Sequence, residues 1–238
     1  MANYLETNYS VKEDAENQYP QKLCDYIFDN YFKKYIEKIG KEKTKLLDVG
    51  SGKGNHLLAF QRRGINVYGL DKRNECKKAL ENVEISECDI EKDKIPFSDN
   101  SFDFIFSKSV IEHVSNTDNF LSEILRVLKP EGVAVIMTPD WGTQYKSFFD
   151  DYTHVSPFTR KGLQNAMKIN GFYDIKCVYF LQLPFIWKRP YLKFLTKIVS
   201  ILPDFLKWKD KEESKHRKLI RFSKEKMLLA VATKKVKN

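Results

Sequence analysis

Apolar residues recur at helical spacing from Leu23 to Ile39 (Leu23, Ile27, Phe28, Tyr31, Phe32, Tyr35, Ile36, Ile39), and the run halts at Gly40. The pattern then shortens. Lys45–Val49 is near-continuous in apolar character, the mark of a strand covered on both faces. A helix over Asn55–Arg63 and a strand over Asn66–Leu70 follow, then a Lys-rich helix near Lys72–Leu80 and a third strand near Val83–Glu87. Phe102–Phe106 reads as the fourth strand. Thr117–Leu128 carries an apolar stripe (Phe120, Ile124, Leu125, Leu128), with Thr117 or Ser115 as its N-cap and Pro130 as its stop. The turn Pro130-Glu131-Gly132 feeds a fifth strand over Val133–Met137. A second capped helix, Thr159–Asn170, ends at Gly171, a residue suited to a left-handed C-cap. Tyr173–Phe180 and Met227–Thr233 complete the strands, with an irregular aromatic and basic stretch, 181–223, between them. Strands alternating with helices predict an α/β chain with a doubly wound sheet.

At 238 residues, one domain is the better expectation than two. Its parts are an N-terminal helical cap (1–43), a core (44–180), the 181–223 insertion or lid, and a last strand and tail (224–238). The N-terminus is polar and mixed in charge, unlike a signal peptide. The longest apolar run, Val178–Trp187, is too short to span a bilayer. Four cysteines lie far apart without a C-x-x-C pair, so neither a zinc site nor a disulfide framework is suggested. These features give a cytoplasmic expectation.

Charge changes the picture in one place. Residues 181–238 hold sixteen Lys+Arg against five Asp+Glu, so the whole net charge of +9 resides in that quarter. Lys193, Lys197, Lys207 and Lys209 interleave with Phe185, Trp187, Tyr191, Phe194, Phe205 and Trp208. That mixture suits a peripheral contact with an anionic inner-membrane face or a lipid-linked acceptor; the alternative is a lid or dimer face. A nucleic-acid partner is disfavoured, because no RNA-binding module is recognisable and the catalytic half is near neutral. Nothing in the sequence sets the oligomeric state.

The chemistry centres on Asp48-Val49-Gly50-Ser51-Gly52-Lys53-Gly54, between a strand and a helix. Glycines there let the backbone approach a ligand where a Cβ would clash. The third glycine comes one residue earlier than in the G-x-G-x-x-G dinucleotide loop, and Asp48 suits an amine and a sulfonium better than a pyrophosphate. Asp71, about 20 residues on, stands where a carboxylate meets ribose hydroxyls. Asp89 and Ile90 follow the third strand, placed to accept from an adenine amino group and to pack on its ring.

The ordered set DVGSGKG (48–54), YGLD (68–71), CDI (88–90), IPFSDNSFDFIFSKSVIEHV (95–114) and RVLKPEGVAVIMTPD (126–140) resembles the class I S-adenosylmethionine (SAM)-dependent methyltransferases of the type 11 pattern. The resemblance covers about residues 44–180. It implies a Rossmann-like seven-stranded sheet of order 3-2-1-4-5-7-6, strand 7 antiparallel, with helices on both faces. By the same resemblance Asp48, Gly50 and Gly52 line the methionine end of SAM and Asp71 stands at the ribose. Asp89 and Ile90 hold adenine, Ser107, Lys108 and Ser109 lie beside the sulfonium, and Ser51 and Lys72 are further cofactor-binding candidates.

Motifs for methylating base amino groups or cytosine C5 are absent, which favours O-methylation assisted by a side-chain base. Among the histidines, His154 in Asp150-Asp151-Tyr152-Thr153-His154 follows the fifth strand, at the sheet edge where doubly wound folds bind substrates. A histidine there could take a hydroxyl proton, with Asp151 or Asp150 to orient it. Otherwise His154 and Thr159 merely satisfy backbone groups of a helix-entry loop. His113 stands as a site wall or a helix cap. The D-Y-T-H-x-x-P-F-T wording is similar to that of bacterial methyltransferases of cell-surface or secreted glycans. The expected acceptor is therefore a saccharide hydroxyl, on a sugar nucleotide or a lipid-linked glycan of polysaccharide biosynthesis. A small metabolite, an RNA, a non-catalytic SAM-binding scaffold and an NAD-dependent oxidoreductase are the rivals. No metal is expected: Asp140, Asp150 and Asp151 offer carboxylates without a fixed ligand pattern.

Overall fold

The computed structural model describes residues 18–73, 83–206 and 215–236. Its seven strands are β1 (Lys45–Val49), β2 (Asn66–Asp71), β3 (Glu84–Glu87), β4 (Phe102–Lys108), β5 (Leu128–Pro139), β6 (Phe172–Phe180) and β7 (Met227–Lys234). They form one sheet of order β3-β2-β1-β4-β5-β7-β6. β1 to β5 run parallel, and β7 is antiparallel to both its neighbours. The expected order and the reversed last strand are both present.

Each central strand is buried on both faces, which is why its sequence is apolar at successive positions rather than alternating. Leu47, Phe102, Ile105, Ala134 and Ile136 point into one core layer, against Phe120, Leu121 and Ile124 of α4 (Thr117–Val127) and Leu163 and Met167 of α6 (Arg160–Ile169). Leu46, Phe104, Phe106, Val135 and Met137 point the other way. They meet α1 (Tyr19–Ile27), α2 (Lys33–Ile39) and α3 (Asn55–Gln61). The Leu23–Ile39 run is two helices joined by a π-helical turn, Phe28–Phe32, and Phe32 stacks on Phe104 with ring centroids 4.1 Å apart. A buried Asp103 at the base of β4 is tied by Lys129 at 2.9 Å, the Lys45 N–H at 2.9 Å and the Tyr35 hydroxyl at 3.1 Å.

Some boundaries differ from the sequence expectation. The cap of α4 is Asn116, whose side chain accepts from the Asn119 N–H; neither Thr117 nor Ser115 fills that place. Pro130-Glu131-Gly132 does not stand outside the sheet as a turn. β5 begins at Leu128 and absorbs it, with Glu131 at φ +62° and a register shift opposite Phe102/Phe104. The expected helix near Lys72–Leu80 falls largely outside the described residues, as do Lys207, Trp208 and Lys209.

The 181–223 stretch is not irregular throughout: it holds α7 (Pro184–Lys188), α8 (Lys193–Val199) and most of α9 (Lys215–Lys224). It also divides in packing. Ile186 is buried, and Trp187 lies against Tyr26 and Phe180, its indole N–H donating to the Leu181 carbonyl. Tyr191, Phe194, Ile198, Ile201 and Phe205 are exposed. A smaller helix, α5 (Trp141–Gln144), follows β5.

Candidate active site

The glycine loop leaves β1 in left-handed backbone, with φ +80° at Gly50, +51° at Gly52 and +80° at Gly54. The Gly50 and Ser51 N–H groups both donate to the Leu70 carbonyl, fastening the loop to β2. A Cβ on Gly50 would lie 2.1 Å from Val110 Cγ2, so the β4 loop rests directly on it. A Cβ on Gly52 would meet nothing within 4 Å among the described residues. Its N–H donates to Asp71 Oδ2 at 2.8 Å, and the Arg73 N–H donates to Asp71 Oδ1 at 3.1 Å.

Asp48 is buried, and its Oδ2 has no hydrogen-bond partner among the described residues. A buried carboxylate oxygen without a donor is costly unless a ligand supplies one. Burial, with the nearby Asp71 carboxylate adding to it, pushes the Asp48 carboxyl up to about 8, although Lys108 pulls the other way. Lys108, at the end of β4, is itself held below the usual ammonium range by burial; Glu112, Asp48 and Cys24 oppose that shift. Burial and then Lys108 push His56, behind the loop, down to about 3, so its ring is neutral.

The remaining cofactor candidates fall in order along the strand ends. Asp89 Oδ2 pairs with the exposed Lys72 ammonium at 2.9 Å, which is the main reason its carboxyl lies below the usual range. Ile90 is packed into the core, and its carbonyl accepts from the Asn119 amide. Ser107 is buried and its hydroxyl donates to the Val49 carbonyl at 2.9 Å, tying β4 to β1. Ser109 has φ +58°, a strained conformation for a non-glycine residue, with its N–H donating to the Met137 carbonyl.

Past Ser109, the chain enters a short 3-10 turn, Ile111–His113. The loop 151–158 is stapled to that turn. The Val155 and Ser156 N–H groups donate to the Glu112 carbonyl at 2.8 and 3.0 Å, and the Ser156 hydroxyl donates to the Val114 carbonyl at 2.7 Å. His113 and His154, 41 positions apart in the chain, thereby come together with ring centroids 4.7 Å apart. His113 is in a turn and caps no helix. His154 Nδ1 lies 2.6 Å from the Phe148 carbonyl, so it is the protonated nitrogen and Nε2 carries the lone pair. The Thr153 hydroxyl donates to Asp151 Oδ1 at 2.6 Å, which leaves its oxygen to accept from His113 Nδ1 at 2.9 Å. The His113 lone pair is therefore on Nε2 as well. Asp151 Oδ2 stands 3.9 Å from His154 Nε2, beyond hydrogen-bond reach, so the Phe148 carbonyl rather than Asp151 orients that ring.

Glu112, which the sequence reading did not single out, is fully buried beside them. Its Oε2 accepts from Thr138 Oγ1 at 2.9 Å and its Oε1 has no partner among the described residues. Burial pushes its carboxyl up to about 7, Asp151 adding to the rise while Thr138 and Lys108 oppose it. One ligand-type atom from each of Glu112, His113 and His154 lies within 4.8 Å of the others. Next to this cluster Trp141, Tyr145, Phe148 and Phe149 pack edge to face, with Tyr145, Phe149 and Tyr152 exposed.

Residues 47–136 match the family model described as a methyltransferase domain. The chain is 32% identical over 155 residues to the biotin biosynthesis bifunctional protein BioHC of Cellvibrio japonicus, a match that takes in 59% of this chain and 29% of that protein. It is 31% identical over 141 residues to the ubiquinone biosynthesis O-methyltransferase of Rickettsia conorii, covering 54% of this chain and 44% of that one. The chain thus spans less than half the length of these curated relatives. Phosphoethanolamine N-methyltransferase 2 of Haemonchus contortus, solved in complex with S-adenosyl-L-methionine, superposes with a TM-score of 0.58 at 21% identity, over 92% of this chain and 58% of that one. The fold is that of the class I SAM-dependent methyltransferases, and residues 47–136 match the methyltransferase domain model.

Proposed function

We propose that the protein is a SAM-dependent methyltransferase that O-methylates a saccharide hydroxyl, on a sugar nucleotide or a lipid-linked glycan. The observation that carries the donor half is Asp48: a buried carboxylate oxygen without a partner, at the mouth of a glycine loop, fits the α-amino group of a methionine moiety. Lys108, whose charge is felt by Asp48 and Glu112, is the cation for the methionine carboxylate. Asp71 receives the ribose hydroxyls, and Gly52, with open space where a Cβ would stand, lets the cofactor approach. Asp89 accepts from the adenine amino group.

SAM when bound supplies a methyl group on a sulfonium, and its S–CH3 electron pair returns to sulfur as the new O–CH3 bond forms. The chain's task is alignment and removal of the acceptor proton. His154, His113 and Asp151 stand at the acceptor end, with Nε2 lone pairs set by the hydrogen bonds at both Nδ1 atoms. The exposed rings of Tyr145, Phe149 and Tyr152 offer flat apolar surfaces on which the C–H face of a pyranose can rest. Phe194, Ile198, Ile201 and Phe205, interleaved with Lys193 and Lys197, suit the lipid of a lipid-linked acceptor.

Calorimetric titration with S-adenosylhomocysteine (SAH) and with NADH tests the donor half. Micromolar SAH binding and no NADH binding is the expected result; the reverse overturns the reading.

A further inference from the structure

We infer that Glu112, His113 and His154 form a divalent transition-metal site at the acceptor end of the methyl-transfer site, whose open coordination position takes the acceptor hydroxyl. The inference rests on the methyltransferase reading for the role of the ion, but not for its binding.

Three independent features converge. One ligand-type atom from each of the three side chains already lies within 4.8 Å of the others. A tetrahedral ion with ligand bonds of about 2.1 Å holds its donors about 3.4 Å apart, so side-chain movements of order 1 Å close the set. Second, both rings have their Nδ1 atoms bound to oxygen, His154 at the Phe148 carbonyl and His113 at Thr153. Outer hydrogen bonds of this kind fix the tautomer of metal-bound imidazoles. Third, Glu112 is fully buried with one oxygen satisfied by Thr138 and the other without a partner. An ion at this place meets the demand of that oxygen.

The donor set selects the ion. Two imidazoles and one carboxylate suit Zn2+, Mn2+ or Fe2+, whereas Mg2+ and Ca2+ prefer oxygen alone. Three protein ligands also leave a position open, the arrangement of a reactive rather than a structural site. The ion explains how a sugar hydroxyl is activated. A bound divalent ion makes a hydroxyl it holds far more acidic, so that its proton passes to solvent as the O–CH3 bond forms. The acceptor class that follows is a hydroxylated molecule that bonds the ion through oxygen.

The test is titration of tag-free, EDTA-stripped protein with Co2+, followed by visible absorption, with Zn2+ as competitor. One Co2+ per chain at micromolar affinity or tighter is expected, with Glu112→Gln and His154→Ala each weakening it by roughly 100-fold. Gln preserves the shape and the Thr138 bond, and unchanged SAH affinity reports that each variant is folded. Affinity no better than millimolar, or variants that bind Co2+ as the parent does, overturns the site. Co2+ uptake without SAH binding leaves the metal site standing and removes the methyl-transfer reading.

Discussion

Asp48 makes a prediction that links stability to binding. Its carboxyl sits at about 8 in the ligand-free fold against 3.8 in an unfolded chain, so between those values the folded protein holds a proton that the unfolded chain lacks. Stability contributed by this group is therefore lost as pH rises from about 4 to about 8, and at pH 7 the cost approaches roughly 4 kcal/mol. Asp48→Asn removes that cost and raises Tm by several degrees, measured by calorimetry without ligand. A cation in the cofactor's amino position reverses the preference, because it needs Asp48 ionised. At pH 7 the group is about ten-to-one protonated, so binding releases about 0.9 proton and is roughly tenfold weaker than with Asp48 already ionised. Titration of SAH in two buffers of different ionisation enthalpy counts that proton. Release below about 0.3 proton, or an Asp48→Asn variant that binds SAH as tightly as the parent, refutes the assignment of Asp48 to the amino group.

Other expectations follow from single contacts. His154→Ala lowers turnover by roughly 100-fold or more while SAH affinity stays within about twofold; undiminished turnover removes His154 from the acceptor end. Gly50→Ala places a methyl 2.1 Å from Val110 Cγ2 at φ +80° and is expected to cost at least 3 kcal/mol by denaturant unfolding. Gly52→Ala meets no atom and costs only about 1 kcal/mol of backbone strain, yet weakens SAH at least tenfold; equal damage from the two substitutions contradicts the assignment of Gly52 to the ligand face. Phe32→Ala, removing the ring stacked on Phe104, destabilises by about 3–5 kcal/mol with SAH affinity at saturating stability unchanged.

The sheet was legible because each strand's burial is written into its own residues. Phe102–Lys108 and Val133–Met137 are apolar at both parities, and the glycine loop follows a strand whose penultimate residue is Asp48. Boundaries set by competition were less so. Asn116 outdoes its neighbours as a cap only because the chain enters α4 with its amide facing the Asn119 N–H. The Pro130-Glu131-Gly132 turn joins β5 because Lys129 is anchored on Asp103, a partner 26 positions away. The candidate cofactor residues each lie within one local motif per strand, so the sequence exposes them as candidates. The acceptor end could not. Glu112 and His154 meet through backbone hydrogen bonds from Val155 and Ser156, which no spacing rule expresses. The adjacent Glu-His pair in the sequence was the available signal, and it acquires meaning only once the 151–158 loop lies over it.

The most direct test is methyl transfer itself. Protein incubated with methyl-labelled SAM and a lysate of its source organism lacking the gene is expected to label a saccharide as an alkali-stable ether, in the organic phase if the glycan is lipid-linked and in water if it is a sugar nucleotide. Label in RNA, protein or a non-saccharide metabolite contradicts the acceptor reading, and no transfer at all, with SAH bound, contradicts catalysis by this site.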